Sequence, residues 1–126
     1  YERLLNYLKK NNINKKKNKV LLLGASYKKN ITDIRETPFI KIAEILYKNK
    51  IKFLYNDPFV KSIYINNKKI KINSIKMNYE KINEFEIVII ITDHDYYNYK
   101  KILLNAKTII DTRGRYKLNN PKVLRA

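Results

Sequence analysis

The segment from Lys19 to Pro38 constrains the fold more than any other part of this chain. An apolar run from Val20 to Leu23 ends in Gly24, and a polar loop leads from there to Thr37-Pro38. A continuous apolar run is typical of a strand in a parallel sheet that is covered on both faces. Threonine is a favoured helix N-cap, and proline is favoured at the first helical position. The segment therefore predicts a strand followed by a helix, as at the start of a βαβ unit.

The rest of the chain continues this alternation. The helix after Thr37 is expected to end near Asn49. Further strands are predicted at 51–55, 87–91 and 108–110 and around Val123, helices at 79–85 and 96–106, and a hairpin with strands near 63–65 and 70–72. This order predicts an α/β fold: a Rossmann-like, doubly wound and mainly parallel sheet flanked by helices, in three layers. Residues 19–126 are assigned to this domain. Residues 1–10 have helical spacing, and residues 11–18 are expected to be a linker or exposed loop.

Composition excludes several classes of protein. The 126 residues include no cysteine, which rules out disulfides, thiolate metal sites and a cysteine nucleophile within this chain. No apolar stretch approaches the roughly 20 residues of a membrane helix, and the first residues do not have the pattern of a signal peptide. We therefore expect a cytoplasmic protein that does not bind membranes.

The formal charge of +17 allows two interpretations. A basic surface is typical of nucleic-acid-binding proteins. Alternatively, a coding sequence rich in A and T has turned neutral surface positions into lysine and asparagine. We favour the second interpretation, because lysine far outnumbers arginine and arginine is preferred for planar recognition. A free-standing basic α/β module for nucleic acid or acidic partners, without catalysis, remains the alternative.

Polar clusters follow three of the predicted strands. They are Tyr27-Lys28 with Asp33 and Arg35, then Thr92-Asp93-His94, and then Asp111-Thr112-Arg113. Parallel strands bring their carboxyl ends to one edge of the sheet, where ligands of open α/β folds bind. Lys28, Arg35 and Arg113 would form a cationic trio there that suits a diphosphate. The predicted edge is therefore a candidate phosphate-binding site.

Each of these residues also has a purely structural interpretation. Asp33 and Arg35 could pair with each other or with Asp111 and brace the loop, and for Asp33 we favour this. For Lys28 and Arg113 we favour ligand contact.

The only histidine, His94, could be a general base or a metal ligand. A hydrogen bond to a strand end fits better, and we expect no metal site. Tyr96, Tyr97 and Tyr99 could stack on bases but fit better as a cover over the helix–sheet interface. The fingerprint G-x-G-x-x-G is absent, so the usual dinucleotide cradle is not expected.

The segment GASYKKNITDIRETP, from Gly24 to Pro38, resembles a family signature. That signature is G-x-x-[FY]-K-x-x-x-x-D-x-R-E-[ST]-P, of the C-terminal domain of the UDP-glucose/GDP-mannose dehydrogenase family. The later motifs follow in the same order: Asp57-Pro58, Thr92-Asp93-His94 and Asp111-Thr112-Arg113. The resemblance covers residues 19 to about 115, and it implies that residues 1–18 are the end of an inter-domain helix and a linker.

The resemblance implies a function and residue roles. Members use NAD to oxidise the C6 hydroxyl of a UDP-sugar to a carboxylate, giving a UDP-uronic acid for polysaccharide biosynthesis. By this resemblance, Tyr27, Lys28 and Arg113 contact the UDP-sugar, and Arg35 reaches NAD. Four residues are expected to support the site structurally: Asp33, Asp57, His94 and Asp111. The Thr-Asp-His motif and the Tyr-Asn-Asp-Pro turn favour the UDP-N-acetylhexosamine branch.

Two departures from the family qualify these expectations. The chain contains neither the N-terminal dinucleotide-binding domain nor the central domain with the catalytic cysteine. No catalytic residue is therefore expected in this chain, which should be inactive alone and should join the other domains in a homo-oligomer. The glycine usual after the first helix is also replaced, in the region of Asn49 and Lys50. We expect Asn49 to take the left-handed conformation there.

Overall fold

A computed structural model describes residues 6–7, 20–35, 37–117 and 119–125. Residues 6–7 are helical, and the rest of the predicted segment 1–18 lies outside the described residues. The elements that follow are β1 (Val20–Leu23), α1 (Pro38–Lys48), β2 (Phe53–Asn56), β3 (Ser62–Ile65), β4 (Ile70–Asn73), a 3₁₀ helix (Tyr79–Glu84), β5 (Ile87–Ile90), α2 (Tyr99–Asn105), β6 (Ile109–Asp111) and β7 (Val123–Arg125). The order of elements predicted after residue 19 is confirmed.

Five of the strands form one sheet in the order β2-β1-β5-β6-β7. Every neighbouring pair in it is parallel. The chain runs from β1 outward to β2 and then crosses back to β5 on the other side of β1. The winding therefore reverses between β1 and β5, where folds of this kind bind ligands. The predicted Rossmann-like architecture is confirmed.

The sheet is covered on both faces, which explains its continuous apolar strands. Alternate side chains of β1 and β5 enter two separate core clusters. One cluster lies under α1 and the hairpin and includes Val20, Leu22, Phe39, Leu46, Ile63, Ile65, Ile87 and Ile89. The other lies under the 3₁₀ helix and α2 and includes Leu21, Leu23, Ile82, Val88, Ile90 and Ile102. The three predicted layers are thus present. Among the described residues, no helix has the length and apolarity to cross a membrane.

The predicted hairpin forms as β3 and β4. Three residues of its turn have positive φ angles: Asn66 at 54°, Asn67 at 56° and Lys68 at 65°. The backbone N–H of Asn66 donates to a carboxylate oxygen of Glu44 on α1, 2.8 Å away. This bond and the buried Ile63 and Ile65 hold the hairpin on the α1 side of the sheet.

The helix starts are set by side-chain caps. Thr37 Oγ1 accepts the N–H of Phe39 at 3.2 Å, as predicted for the start of α1. Asn98 caps α2, since its Oδ1 accepts the N–H of Lys101 at 3.1 Å. The helix predicted from Tyr96 therefore begins three residues later. Tyr97 is instead held before the helix, with its hydroxyl donating to the Asn56 carbonyl at 2.8 Å.

The prediction that Asn49 takes the left-handed conformation is wrong. Asn49 has a φ of −92°, and Lys50 has the positive φ, 58°. The N–H of Lys50 donates to the Tyr47 carbonyl at 3.1 Å, and that of Ile51 donates to the Leu46 carbonyl at 2.9 Å. This is a Schellman motif, in which the left-handed residue follows the C-cap and is usually glycine. Burial of Ile51 fixes which residue occupies that position.

We predict that Lys50→Gly stabilises the protein. A residue other than glycine in the left-handed region lowers the stability of the fold by about 1–2 kcal/mol. Glycine avoids this strain, but it loses more conformational entropy on folding, which cancels part of the gain. The free energy of unfolding in urea should rise by about 0.5–1 kcal/mol. As a matched control, Lys48→Gly places glycine in the last turn of α1 and should lower it by about the same amount. A decrease for Lys50→Gly would contradict the assignment.

Gly24 lets the backbones of β1 and β5 meet closely where the winding reverses. Its φ is 91°, and a Cβ placed on it would overlap the backbone of Thr92. Gly114 has a φ of 69° but has open space around its Cβ position. A side chain at Gly114 would therefore meet backbone strain alone, whereas a side chain at Gly24 would meet both backbone strain and steric overlap.

Alanine at these two positions should have unequal effects. Gly114→Ala introduces strain alone and should cost about 1 kcal/mol of unfolding free energy. Gly24→Ala adds an overlap with backbone that cannot rotate away, so it should cost at least ~3 kcal/mol or prevent folding. Urea unfolding of both variants measures the difference. Equal losses would mean that the approach of Gly24 to Thr92 is not tight.

Candidate functional site

Four loops leave the carboxyl ends of neighbouring parallel strands and form the carboxyl edge of the sheet. They follow β1 (residues 24–35, the β1 loop), β2 (57–60), β5 (91–98) and β6 (112–117). Every site residue predicted from the sequence lies in these loops or at the end of β6. The base of this edge is buried, and its rim is exposed.

Asp57 lies at the base of the carboxyl edge and is only 2% exposed. Its Oδ2 accepts the backbone N–H groups of Ala25, at 2.6 Å, and Ser26, at 3.2 Å. Its Oδ1 accepts those of Phe59, at 2.7 Å, and Val60, at 3.1 Å. One carboxylate thus holds the β1 loop and its own loop together.

His94 completes this base from the β5 side. Its side chain is fully buried, with Nε2 2.8 Å from Asp57 Oδ2. Its Nδ1 accepts the backbone N–H of Asn30 at 2.7 Å. Because Nδ1 acts as an acceptor, the ring proton is assigned to Nε2, which donates it to Asp57. Both ring nitrogens are thus bonded within the protein, which favours the structural interpretation of His94. In the described part of the chain, no group of three or more acidic or histidine side chains could hold a metal ion.

The carboxylate of Asp57 keeps its charge despite burial. Burial raises the pKa of Asp57, but the hydrogen bonds from His94 and from the N–H groups of Ala25 and Phe59 together lower it by a larger amount. The pKa therefore lies below its ordinary value of 3.8. A group with a lowered folded-state pKa stabilises the fold above its ordinary pKa and loses that contribution as the pH falls.

Asn30 fastens the middle of the β1 loop to the β5 loop. Its φ is 63°, a left-handed conformation that asparagine tolerates better than most residues. Its Nδ2 donates to Asp95 Oδ2 at 2.8 Å, and its Oδ1 accepts the N–H of Asp95 at 3.1 Å. Together with the bond to His94, these contacts join the two loops through three hydrogen bonds.

Short polar contacts within the β1 loop, and one from the β5 loop, fix the β1 loop around Lys28. The N–H of Tyr27 donates to the Asp33 carbonyl at 2.6 Å. Ser26 Oγ donates to the Lys28 carbonyl at 2.7 Å, and Thr92 Oγ1 donates to the Ser26 carbonyl at 2.5 Å. The backbone on both sides of Lys28 is therefore fixed.

Arg113 crosses from the β6 loop to the β1 loop. Its Nε donates to the Ile91 carbonyl at 2.7 Å and its Nη2 to the Tyr27 carbonyl at 3.0 Å. Asp111 supports the turn before it, since Oδ1 accepts the Arg113 N–H at 3.1 Å and Oδ2 accepts the Tyr116 N–H at 2.8 Å. A guanidinium has five N–H donors, so Arg113 retains donors for a ligand.

Tyr27, Lys28 and Arg113 therefore lie together at the rim of the edge. Tyr27 is 40% exposed, and Lys28 Nζ lies 5.7 Å from the centre of its ring. Lys28 itself is exposed. The rim presents one ammonium, one guanidinium and one aromatic ring on a backbone that is hydrogen-bonded underneath.

Asp33 and Arg35 form a separate, exposed pair. Arg35 Nε and Nη2 donate to the two carboxylate oxygens of Asp33 at 3.1 and 2.9 Å. These bonds lower the pKa of Asp33 to about 2. The Arg35 side chain is 87% exposed. Asp33 and Arg35 therefore pair with each other, one of the two arrangements expected from the sequence, whereas Asp111 accepts backbone N–H groups of its own loop.

Asn30 and Arg115 were missed by the sequence reasoning. Arg115 Nη1 donates to the Asp93 carbonyl at 3.3 Å and to Asp95 Oδ1 at 3.1 Å, and its guanidinium lies 4.4 Å from the centre of the Tyr99 ring. The scarcity of arginine was the available signal for Arg115. No comparable signal marks Asn30 in a chain rich in asparagine.

The tyrosines near α2 are mostly interior. Tyr97 is 4% exposed, and Tyr99 donates its hydroxyl to the His94 carbonyl at 2.7 Å. Both therefore serve the packing between α2 and the sheet, as favoured from the sequence. Tyr96 is the exception, since it is 57% exposed.

Comparison with known proteins assigns the family. Residues 21–118 match the UDP binding domain of the UDP-glucose/GDP-mannose dehydrogenase family. The chain belongs to this family. The matched region contains the whole carboxyl edge, including Tyr27, Lys28 and Arg113.

Individual relatives agree with this assignment. The chain is 30% identical over 111 residues to the UDP-N-acetyl-D-mannosamine dehydrogenase of Methanococcus vannielii, which covers 82% of this chain and 24% of the relative. The structure of a UDP-D-ManNAc dehydrogenase from Pyrococcus horikoshii shares the fold, with a TM-score of 0.69, 24% identity and coverage of 97% of this chain and 28% of that one. A structure of the UDP-N-acetyl-mannosamine dehydrogenase Cap5O from Staphylococcus aureus has a TM-score of 0.58, 25% identity and coverage of 87% and 25%. The chain thus spans about a quarter of the length of these proteins.

We predict that Asp57→Asn weakens the fold in a pH-dependent way. Loss of a buried, fully hydrogen-bonded charge should lower the free energy of unfolding at pH 7 by about 3 kcal/mol. The stabilisation that the Asp57 charge gives the wild type is lost progressively as the pH falls below 3.8. The difference in free energy of unfolding between wild type and variant should therefore be smaller at pH 3 than at pH 7. Urea unfolding at both pH values measures this.

The matched control for this experiment is Asp33→Asn. Asp33 also has a lowered pKa, but its pair with Arg35 is exposed to solvent. Exposed ion pairs contribute little, so this variant should unfold almost as the wild type does at pH 7. A gap for Asp57→Asn that is the same at pH 7 and pH 3 would contradict the role given to its charge.

Proposed function

We propose that this chain is the UDP-sugar-binding domain of an NAD-dependent UDP-sugar 6-dehydrogenase. The single observation that carries the proposal is the joint location of Tyr27, Lys28 and Arg113 in a domain of this family. In the whole enzyme, the C6 hydroxyl of the sugar is oxidised to a carboxylate, which gives a UDP-uronic acid for polysaccharide biosynthesis. The role of this chain is to bind and orient the substrate.

The rim suits a nucleoside diphosphate chemically. The Lys28 ammonium and the remaining N–H donors of Arg113 offer charge-assisted hydrogen bonds to phosphate oxygens. The Tyr27 ring offers a flat surface beside them. Because the backbone around Lys28 is already hydrogen-bonded, ligand binding loses little additional conformational entropy of this loop. The proposal therefore assigns these three residues to substrate binding.

NAD fits this chain only as a neighbour. The chain has no G-x-G-x-x-G cradle, and Arg35 is the residue suited to reach the cofactor. Its pair with Asp33 uses Nε and Nη2 and leaves further donors on an exposed guanidinium. NAD accepts the hydride in such reactions. We propose that an N-terminal domain holds most of it, and that a central domain supplies the catalytic cysteine.

We further propose that the substrate is a UDP-N-acetylhexosamine. The relatives reported above are named UDP-N-acetylmannosamine dehydrogenases, and the Tyr-Asn-Asp-Pro and Thr-Asp-His motifs favour the same branch. The active enzyme would be a homo-oligomer of the complete protein. The chain alone would bind the nucleotide without turning it over.

The proposal predicts that Lys28→Ala weakens UDP binding. A lost hydrogen bond from a charged group costs about 1.5–3 kcal/mol, so the Kd for UDP should rise roughly 10- to 100-fold. Calorimetric or NMR titration of the 126-residue chain with UDP measures this. Lys69→Ala is the matched control, because it removes the same charge from the exposed hairpin turn and should leave the Kd unchanged.

A DNA titration in the same buffer tests the alternative of a basic binding module. Tight binding of a DNA fragment at physiological salt, with a steep salt dependence and no effect of UDP, would favour that alternative. Equal weakening of UDP binding by Lys28→Ala and Lys69→Ala would mean that only total charge matters. Either outcome would contradict the proposed UDP site.

A further inference from the structure

We propose that His94 is a positioning residue for the substrate: its imidazole sets the position of the β1 loop, and thereby of Lys28, through the acceptor Nδ1. This inference rests on the proposed function, because it assumes that Lys28 binds the UDP-sugar. It assigns different tasks to the two ring nitrogens. Nε2 anchors the ring, and Nδ1 holds the loop.

The anchoring side of the ring is fixed from several directions. Nε2 lies 2.8 Å from Asp57 Oδ2, and that oxygen also accepts the N–H of Ala25. The rings of Phe59 and Tyr97 lie with their centres 4.9 and 6.0 Å from that of His94. The His94 backbone carbonyl accepts the Tyr99 hydroxyl at 2.7 Å. The imidazole is therefore held by the base of the edge and cannot follow a shifting loop.

The ring also contacts the β1 loop on both sides of Lys28, through a short bond at Nδ1 and a longer contact at Nε2. Two residues after it, the Asn30 N–H donates to Nδ1 at 2.7 Å. Two residues before it, Ser26 Oγ lies 3.4 Å from Nε2 and donates to the Lys28 carbonyl. One rigid ring thus spans the segment that carries the ammonium. A displacement of the ring from either contact would move Lys28 relative to Arg113.

Asn30 makes the Nδ1 contact important for loop geometry. Its φ of 63° is a conformation that most residues reach only with strain. Its side chain is bonded to Asp95, which directly follows His94. The backbone bond to Nδ1 and the side-chain bonds to Asp95 together fix this conformation. Removing the acceptor leaves the side-chain bonds and frees the backbone that leads to Lys28.

Two substitutions separate the tasks of the ring nitrogens. His94→Asn places an amide oxygen near the position of Nδ1, so it keeps an acceptor for Asn30 and loses the donor to Asp57. His94→Gln places an amide N–H near the position of Nε2, so it keeps the donor and loses the acceptor. For stability, His94→Asn should be the more damaging, because it leaves the buried Asp57 short of a donor.

For UDP binding we expect the opposite order. His94→Gln should raise the Kd for UDP roughly tenfold or more, whereas His94→Asn should stay within about threefold of wild type. Urea unfolding and UDP titration of the same samples give both orders. Phe59→Leu is the control: it removes a ring contact but no bond to either nitrogen, so it should lower stability without changing the Kd. A merely structural role would make the loss of affinity follow the loss of stability in all three variants, and that result would overturn the proposal.

Hydrogen exchange of the Asn30 amide gives a readout that needs no ligand. Protection of this amide should fall at least tenfold in His94→Gln, relative to global stability, and persist in His94→Asn. If wild type fails to bind UDP while the exchange result holds, the proposed function fails but the positioning of the loop stands. If UDP binds and exchange is equal in both variants, the inference about His94 is wrong.

The wild-type chain supplies a test should both His94 variants fail to fold. NMR of the ring nitrogens should show a protonated Nε2 and an unprotonated Nδ1, with a coupling across the hydrogen bond between Nδ1 and the Asn30 amide. A proton on Nδ1, or no coupling, would overturn the proposal.

Discussion

The buried bond between Asp57 and His94 is the interaction on which the carboxyl edge depends. The two residues follow β2 and β5, which lie on opposite sides of β1, so the pair bridges the end of the strand between them. The chain leaving β1 passes this bridge and donates the N–H groups of Ala25 and Ser26 to it. A buried carboxylate is tolerated only when its desolvation is offset by hydrogen bonds, and Asp57 receives them from three loops. Gly24 makes the arrangement possible, because any side chain there would meet Thr92.

This bridge lies beneath the groups that are proposed to bind the ligand. At the base of the edge, Asp57, His94 and Asp111 are buried and hydrogen-bonded within the protein. The groups proposed to meet the substrate, Lys28 and Arg113, are exposed on top of them. The ligand therefore meets cations whose backbones are already fixed, and binding strength depends on loop geometry as well as on charge. The overall charge of +17 does not decide which surface binds, since lysines occur all around the chain.

The sequence predicted the elements well because local signals specify them. Continuous apolar runs marked the strands, Thr37 marked the start of α1, and the strand ends correctly located the polar loops. The errors have tertiary causes. Lys50 rather than Asn49 is left-handed because the buried Ile51 fixes the end of α1. The conformational propensity of a single residue carries no information about such a tertiary contact. Asn30 was missed because its importance comes from His94 and Asp95, more than 60 positions away.

The arginines in the described part of this lysine-rich chain lie at positions where lysine could not make the same hydrogen bonds. Each arginine in the described residues donates to a carbonyl or a carboxylate: Arg35 to Asp33, Arg113 to Ile91 and Tyr27, Arg115 to Asp93 and Asp95, and Arg125 to Tyr116. A planar group with several donors can satisfy two acceptors at once, whereas an ammonium acts as a point charge. Arg113 joins the β5 and β1 loops in this way and still has donors for a phosphate. Arg113 thus both fixes the position of the β1 loop and offers donors to the substrate. His94 likewise uses one nitrogen to anchor its ring and the other to hold the loop, so the edge acts as one preorganised unit rather than a set of independent charges.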